Sequence, residues 1–145
     1  MAINGNRPRR INNDGLSITE VGIAKVALLP GSFAVLNTDA EFVQATKVVK
    51  PLYIVNVDDK IGEDILTAVV EGESATCDYV EQRRQFAALV KANTACVKDT
   101  PFKLAADGTL EKATADEDVV VAYSQEIYTT PANGGKPSHV RIRVA

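Results

Sequence analysis

The sequence is poor in several residue types on which common protein functions depend. Its 145 residues include one His, two Cys and no Trp, and aromatic residues make up only 6%. The formal net charge is -3, which predicts no long-range attraction to nucleic acid or to an anionic membrane. No apolar run approaches the roughly 20 residues that cross a bilayer, and the N-terminus lacks the apolar stretch of a signal peptide. These absences predict a soluble protein made in the cytoplasm.

The scarcity of His and Cys leaves little for catalysis or for binding metal. His139 stands in a strand-like terminal segment, and no serine lies in a Gly-x-Ser-x-Gly elbow. A zinc site built from His139, Cys77 and Cys96 would lack paired ligand spacing and a clear fourth ligand. We therefore expect no catalytic residue, no metal and no cofactor, and we expect both cysteines to be reduced and buried.

Acidic clusters and a glycine-rich loop are the remaining candidates for chemistry. Asn133–Gly135 contains no lysine-serine pair of a phosphate loop and opens no helix, so it is interpreted as a flexible loop. The acidic clusters lie between strand patterns without calcium-loop spacing, which favours solvated turns over catalytic pairs. These clusters are Asp58/Asp59, Glu63/Asp64, Glu71/Glu73 and Asp116/Glu117/Asp118.

What the sequence does contain is strand-forming material, because 46% of it is hydrophobic. Segments rich in Val, Ile and Ala recur about every 8–12 residues with Gly and Pro turn signals between them, which is typical of a sandwich or barrel. The segment 102–127 alternates, turns at Asp107-Gly108, alternates again and then contains three consecutive valines, Val119–Val121. We predict a mainly β fold, a small β-sandwich or barrel-like domain with at most one or two short helices. Residues 80–92 fit a helix or a strand, and strand neighbours favour a strand.

The predicted organisation is an extended basic N-terminal arm, residues 1–15, followed by a single β-rich domain, residues 16–145. The arm is either a frayed terminus or a segment that becomes ordered against an acidic partner surface. Val26–Val35 and Ala88–Val97 form a faint internal echo of an apolar run, a turn and a second apolar run. This echo is compatible with two related β-units, 16–80 and 81–145, or with coincidence.

The last third of the chain carries a succession of short β-motifs at Ala95–Val97, Phe102–Leu104, Asp107–Leu110, Ala113–Asp116, Val119–Ala122 and Val140–Val144. In this succession it resembles the capsid decoration (cement) proteins of tailed bacteriophages. The resemblance rests on a small-residue turn, an alternating strand, an Asp-Gly hairpin, an Ala-Thr turn, an apolar strand and a closing strand. Val121 departs from it, since glycine is usual before the final Ala of the apolar strand.

This resemblance implies a non-enzymatic virion protein on the outer surface of an expanded capsid, assembled into symmetric oligomers. Its implied partners are the major capsid protein and copies of itself, as a trimer or, second, as a dimer, with no nucleic acid and no membrane. Phe102, Leu104, Val119 and Val121 are expected in the core. The alternatives are a module displayed on the virion that binds glycans or a host surface, and an enzyme that uses acidic pairs. We predict that the capsid-binding residues lie in the arm: Arg7, Pro8, Arg9, Arg10 and Ile11.

Overall fold

The chain folds almost entirely into β-strands. The computed structural model describes residues 7–15, 17–49, 51–57 and 64–145. Within these ranges the one helical element is a 3-10 turn at Asn133–Gly135, so the predicted mainly β fold is confirmed. The strands are β1 (Thr19–Ile23), β2 (Phe33–Leu36), β3 (Phe42–Gln44), β4 (Tyr53–Asn56), β5 (Ser74–Tyr79), β6 (Gln85–Val90), β7 (Ala95–Cys96), β8 (Pro101–Leu104), β9 (Leu110–Lys112), β10 (Ala122–Ser124), β11 (Tyr128–Thr129) and β12 (Ser138–Val144).

The first half of the chain forms a curled antiparallel sheet with the strand order β1-β5-β4-β2-β3. Its two edge strands meet at one end, where Ala24 forms a parallel bridge with Phe42. The N–H of Lys25 donates to the carbonyl of Phe42 at 2.9 Å. Side chains alternate across a strand, and the concave face therefore collects a buried cluster that includes Phe42, Val55 and Cys77.

The second half of the chain forms a closed barrel in which β10, β12, β6, β9 and β8 follow one another. All pairings are antiparallel except that of β6 with β9, which run parallel where Val90 lies opposite Leu110. Phe86 and Val90 from β6 and Val140 and Ile142 from β12 are fully buried in its core. The segment that fits helix or strand by sequence is therefore a strand, as favoured.

The two halves share one connectivity. In the first half, β1 pairs with β5 and contacts β3 in parallel, β2 pairs with β3 and β4, and β4 pairs with β5. In the second half, β6 pairs with β12 and contacts β9 in parallel, β8 pairs with β9 and β10, and β10 pairs with β12. The linkers also correspond, because Leu28 bridges Val69 in the first half and β7 pairs with β11 in the second. Ala24 thus corresponds to Val90 and Lys25 to Lys91, whose N–H donates to Leu110 at 2.9 Å.

One hydrophobic core joins the halves. Phe33 and Ile54 of the first sheet belong to the same buried cluster as Phe86, Phe102 and Ile142 of the barrel, and each is fully buried. These are among the largest buried side chains of the described residues. Burying a side chain of this size stabilises the fold by about 1.5–3 kcal/mol, so the contact between the halves contributes strongly to folding.

Ile11 corrects the prediction that the first fifteen residues stay outside the core. Its side chain is 0% exposed and lies in the shared cluster. The surrounding backbone is extended and pairs with β6, where Asn12 forms an antiparallel bridge with Phe86. Burial of this branched apolar side chain against the barrel stabilises the fold, because apolar surface is removed from water.

The predicted hairpin at Asp107-Gly108 is confirmed. Leu104 of β8 lies opposite Leu110 of β9, and Gly108 takes φ 84, a conformation that side-chain-bearing residues avoid. Asp107 Oδ1 accepts hydrogen bonds from the backbone N–H of Thr109 at 3.1 Å and from its hydroxyl at 2.6 Å. The turn is therefore stabilised by residues within the turn itself, Asp107, Gly108 and Thr109, which can be recognised in the sequence.

The prediction for Val119 is wrong, since its side chain is 61% exposed. The strand begins only at Ala122, because Asp118 Oδ2 accepts hydrogen bonds from the N–H groups of Thr114 and Ala115 at 3.0 Å each. This turn carries Val119 out of the strand alternation. Phe102 and Val121 are buried as expected, and Leu104 is half-buried against the core.

Both cysteines are free and buried, as predicted. Cys77 lies in the cluster of the first sheet and Cys96 in the shared cluster. Burial raises the pKa of both thiols, which keeps them protonated and unreactive.

Candidate interaction surfaces

Arg7 is bound to the barrel rather than to solvent. Its guanidinium donates to both carboxylate oxygens of Glu126 at 2.7 Å and to the carbonyl of His139 at 3.0 Å. Its central carbon lies 3.5 Å from the ring centroid of Tyr128. A two-pronged ion pair that also stacks on an aromatic face uses the planar shape of arginine fully. Arg7 therefore fastens the N-terminal segment to the barrel.

Glu126 is the acceptor around which this contact is organised. Besides Arg7, it accepts a hydrogen bond from the backbone N–H of Arg141 at 2.8 Å, and the Arg141 guanidinium lies 3.4 Å away. Its side chain is only 14% exposed. Two cations and a backbone donor thus compensate one carboxylate that is largely removed from water.

His139 lies buried beside this cluster. Its Nε2 is 2.9 Å from the carbonyl oxygen of Pro30, so Nε2 carries the proton and donates it. Burial lowers the pKa of His139, and the nearby charge of Arg7 lowers it further against the opposing bond to Pro30. The ring is therefore a neutral structural donor, with no serine or acid arranged on it for catalysis among its hydrogen-bond partners.

A cavity of about 820 Å³ opens next to Arg7. Leu29, Leu89 and Pro137 line it, with the exposed Leu66 at its mouth. Its walls are mainly apolar, and the exposed cations Arg9 and Lys136 stand at its edge. The cavity is therefore a mainly apolar pocket with charges of both signs around it, because the carboxylate of Asp64 also lines it.

The five predicted arm residues separate into two groups. Arg7 forms an ion pair with Glu126 and Ile11 packs in the core, so both are already occupied within the chain, and Pro8 is half-buried beside the cavity. Arg9 and Arg10 are exposed, and neither forms an ion pair within the part of the chain that the structure describes. The assignment of the arm to capsid binding stays a prediction, and Arg9 and Arg10 are the residues available for it.

A second surface, along β1, was missed by sequence reasoning. The N–H of Tyr79 donates to the carbonyl of Ile18 at 2.7 Å, and the N–H of Ala24 donates to that of Glu73 at 2.9 Å. Hydrogen-bonded pairs alternate along an antiparallel ladder. The even-numbered residues of β1 therefore bond to β5, and the odd-numbered ones direct their N–H and C=O groups away from the sheet.

We name the outward edge of Thr19–Ile23 the open seam. β1 is an edge strand. Its outward edge meets Phe42 only at the end next to Ala24, and among the described residues no other segment pairs with the outward groups of Thr19 and Val21. The side chain of Val21 is 65% exposed and that of Ile23 is 43% exposed. Unpaired edges with exposed branched side chains invite pairing with another strand. The run of branched residues after Leu16 predicts a strand, but it does not show that this strand lies at the edge of a sheet.

By residue type, the described acidic residues are candidate metal ligands. No group of three or more His, Cys, Asp or Glu side chains in the described ranges is placed to hold a metal ion. Asp58, Asp59 and Glu63 lie outside the described residues, whereas Asp118 is occupied in closing its own turn. None of the described helical residues forms a helix long and apolar enough to span a bilayer.

Comparisons with known proteins give a likeness of fold. No protein-family model matches the chain. No curated protein is similar to it in sequence. Among solved structures it is similar to the N base of the head fiber gp8.5 of bacteriophage phi29, with a TM-score of 0.57 and 11% sequence identity. The match covers 90% of this chain and 95% of that one. The chain therefore shares its fold with a protein of a phage head.

Proposed function

We propose that this chain is a structural, non-enzymatic protein of a tailed-phage virion. It binds the outer surface of the expanded head and stabilises it by bridging subunits of the major capsid protein. The observation that carries the proposal is the fold likeness to the base of a phage head fiber over 90% of the chain. The cement-protein resemblance of the last third supports the same location independently.

The mechanism follows from mass action. A protein that binds the assembled shell and not its dissociated subunits shifts the equilibrium toward the shell, by about 2.7 kcal/mol per site at a concentration 100 times its Kd. Several copies bound through one cyclic oligomer add avidity. We propose a trimer at a local three-fold position, with a dimer at a two-fold position as the alternative.

The residues proposed to contact the capsid are Arg9 and Arg10. Both are exposed, and their neighbour Arg7 fixes the segment on the barrel through Glu126. The anchored backbone presents two adjacent guanidinium groups at a defined place, which lowers the entropy lost on binding a carboxylate-bearing surface. Guanidinium groups are suited to carboxylates because they donate two parallel hydrogen bonds.

The direct test is sedimentation of the purified protein with expanded heads that lack it. We expect saturable binding and heads that open at a higher temperature after binding. Unexpanded heads serve as the comparison, since the proposal requires preference for the expanded lattice. Absence of binding to expanded heads would reject the proposed function, and retention on a glycan array instead would favour the binding-module alternative.

The arm is tested separately with the double variant Arg9→Ala/Arg10→Ala. We expect at least about tenfold weaker head binding with an unchanged unfolding midpoint. The matched control is Arg83→Ala/Arg143→Ala, because both arginines are also exposed and the charge change is the same. Equal binding of the two double variants would show that the arm does not contact the capsid.

A further inference from the structure

Because the two halves share one strand connectivity, the open seam of the first half can be compared with the equivalent strand edge of the second half. Strand pairing makes Ala24 equivalent to Val90, and counting back along each strand makes β1 equivalent to β6. Val21 then corresponds to Ala87 and Ile23 to Leu89. The same edge of the same strand can therefore be examined in two copies within one molecule.

In the second copy this edge is occupied by an extended segment. The N–H of Ala87 donates to the carbonyl of Ile11 at 2.7 Å, and the N–H of Asn13 donates to the carbonyl of Gln85 at 3.0 Å. The N–H of Leu89 donates to another loop of the chain. Ala87 is 0% exposed and Leu89 is 4% exposed. A short segment that bridges Phe86 antiparallel through Asn12 and carries the buried Ile11 thus closes this edge of β6 at Ala87, and the loop at Gly31 closes it at Leu89.

In the first copy no such segment pairs with the edge at Thr19 and Val21 within the described part of the chain. Val21 and Ile23 are 65% and 43% exposed where their counterparts are covered. The chain's own segment Ile11–Asn13 is already used on β6 and is not available for β1. The strand connectivity around both edges is the same, and the two copies differ in the added segments, Ile11–Asn13 and the Gly31 loop, that cover only the edge of β6.

We propose that the open seam binds an extended segment of another polypeptide, which adds to β1 as an antiparallel strand. The proposal rests on the proposed function, under which this polypeptide is the major capsid protein. Backbone hydrogen bonds supply the affinity in this mode, and side chains at alternate positions supply the specificity. By analogy with Ile11, which packs in the cluster that contains Phe86, the segment carries a branched apolar residue.

Charge further defines the occupant. Glu20 is the one charged residue of β1, it is exposed, and it forms no ion pair within the described residues. A cationic side chain on the added strand opposite Glu20 is favoured, because oppositely charged cross-strand pairs stabilise a sheet. The occupant is therefore an extended apolar segment with a basic residue.

The test places a photo-crosslinking amino acid at position 21 and irradiates the protein bound to expanded heads. We expect crosslinks to one segment of the capsid protein, identified by mass spectrometry of the crosslinked peptides. The matched control carries the crosslinker in place of Val97, which is 59% exposed and lies away from β1 in the second half. Crosslinks from position 21 to another copy of this chain, or to nothing, would overturn the proposal.

A binding measurement separates this inference from the proposed function. Val21→Lys/Ile23→Lys is expected to bind heads at least about tenfold more weakly than wild type, while Val97→Lys binds normally. Both variants change exposed positions, so their unfolding midpoints should match that of wild type. Wild type that fails to bind heads rejects the proposed function. Wild type and the seam variant binding equally rejects the docking site alone.

Discussion

Gly31 lies directly against the imidazole ring of His139. A Cβ atom on residue 31 would stand 2.8 Å from Cδ2 and 2.9 Å from Nε2 of that ring, and 3.1 Å from the carbonyl oxygen of Ala87. Residue 31 also has φ +94, which side-chain-bearing residues rarely adopt. The contact is close because the carbonyl of Gly31 accepts a hydrogen bond from the N–H of Leu89 at 2.9 Å and the carbonyl of Pro30 accepts one from the His139 ring at 2.9 Å.

We therefore expect Gly31→Ala to destabilise the protein by about 2–4 kcal/mol, from backbone strain and collision together. Chemical denaturation measures this change. Gly72→Ala is the matched control, since Gly72 has φ +89 and nothing within 4 Å of the added Cβ. It should lose only the strain contribution, about 1 kcal/mol. Equal losses in the two variants would contradict the packing described for His139.

The buried ring of His139 should make stability depend on pH. Because burial lowers its pKa in the folded protein, the unfolded chain takes up the proton first as pH falls. The stability carried by the neutral ring is fully present above the unfolded pKa of about 6.5 and is lost as pH falls through the folded pKa. The unfolding free energy of wild type, measured between pH 7.5 and about 5, should therefore decrease relative to that of His139→Gln. Parallel pH profiles of the two proteins would refute this assignment.

The buried carboxyl of Asp78 should change the stability of the protein with pH in the direction opposite to His139. Burial raises the pKa of this carboxyl, although Asn56 and Thr19 donate hydrogen bonds to it. A carboxyl whose folded pKa is raised contributes stability that is fully present below the unfolded value, about 3.9, and is lost as pH rises through the folded pKa. Asp78→Asn should therefore lack a gain in stability that wild type shows on acidification. Denaturant titrations of both proteins at several pH values measure it.

The anchor of the N-terminal segment should contribute more than a surface ion pair. Arg7→Ala removes a two-pronged bond to Glu126 and the stacking on Tyr128, both partly buried. We expect a loss of about 1–3 kcal/mol in the free energy of unfolding. Lys91→Ala is the control, because its pair with Asp107 is exposed at 44% and 54% and should be worth under about 1 kcal/mol. A larger loss in the control would contradict the anchoring role of Arg7.

Hydrogen exchange of the free protein distinguishes the two equivalent edges. The amides of Val21 and Ile23 have no acceptor in the described structure, whereas that of Ala87 bonds to Ile11 at 2.7 Å. The first two should exchange rapidly and Ala87 slowly, since exchange requires an unbonded amide. Slow exchange at Val21 in a dilute monomer would show that the seam is already paired.

Sequence reasoning succeeded where a structure is encoded locally. The hairpin at Asp107-Gly108 was predictable because the turn residues themselves supply the positive φ and the side-chain acceptor. It failed where tertiary context decides. Val119 continues an apolar run, and only the capping bonds made by Asp118 show that the run is turned outward.

The sites were harder to predict than the strands. The arginine cluster was visible, but nothing in the sequence separates Arg7, which finds Glu126 far along the chain, from the exposed Arg9 and Arg10. The internal echo in the sequence aligns Val26 with Ala88, whereas the strand pairing makes Ala24 the position equivalent to Val90. Repeats this diverged are recognisable by connectivity and not by residues.

The shared cluster around Phe33 and Phe86 has a consequence for how the molecule comes into being. During synthesis the first half leaves the ribosome before the second, so Phe33 and Ile54 are exposed to water until the barrel residues of the same cluster have been made. We therefore expect residues 17–79 expressed alone to be less stable than the same residues in the whole chain, because this apolar surface stays uncovered.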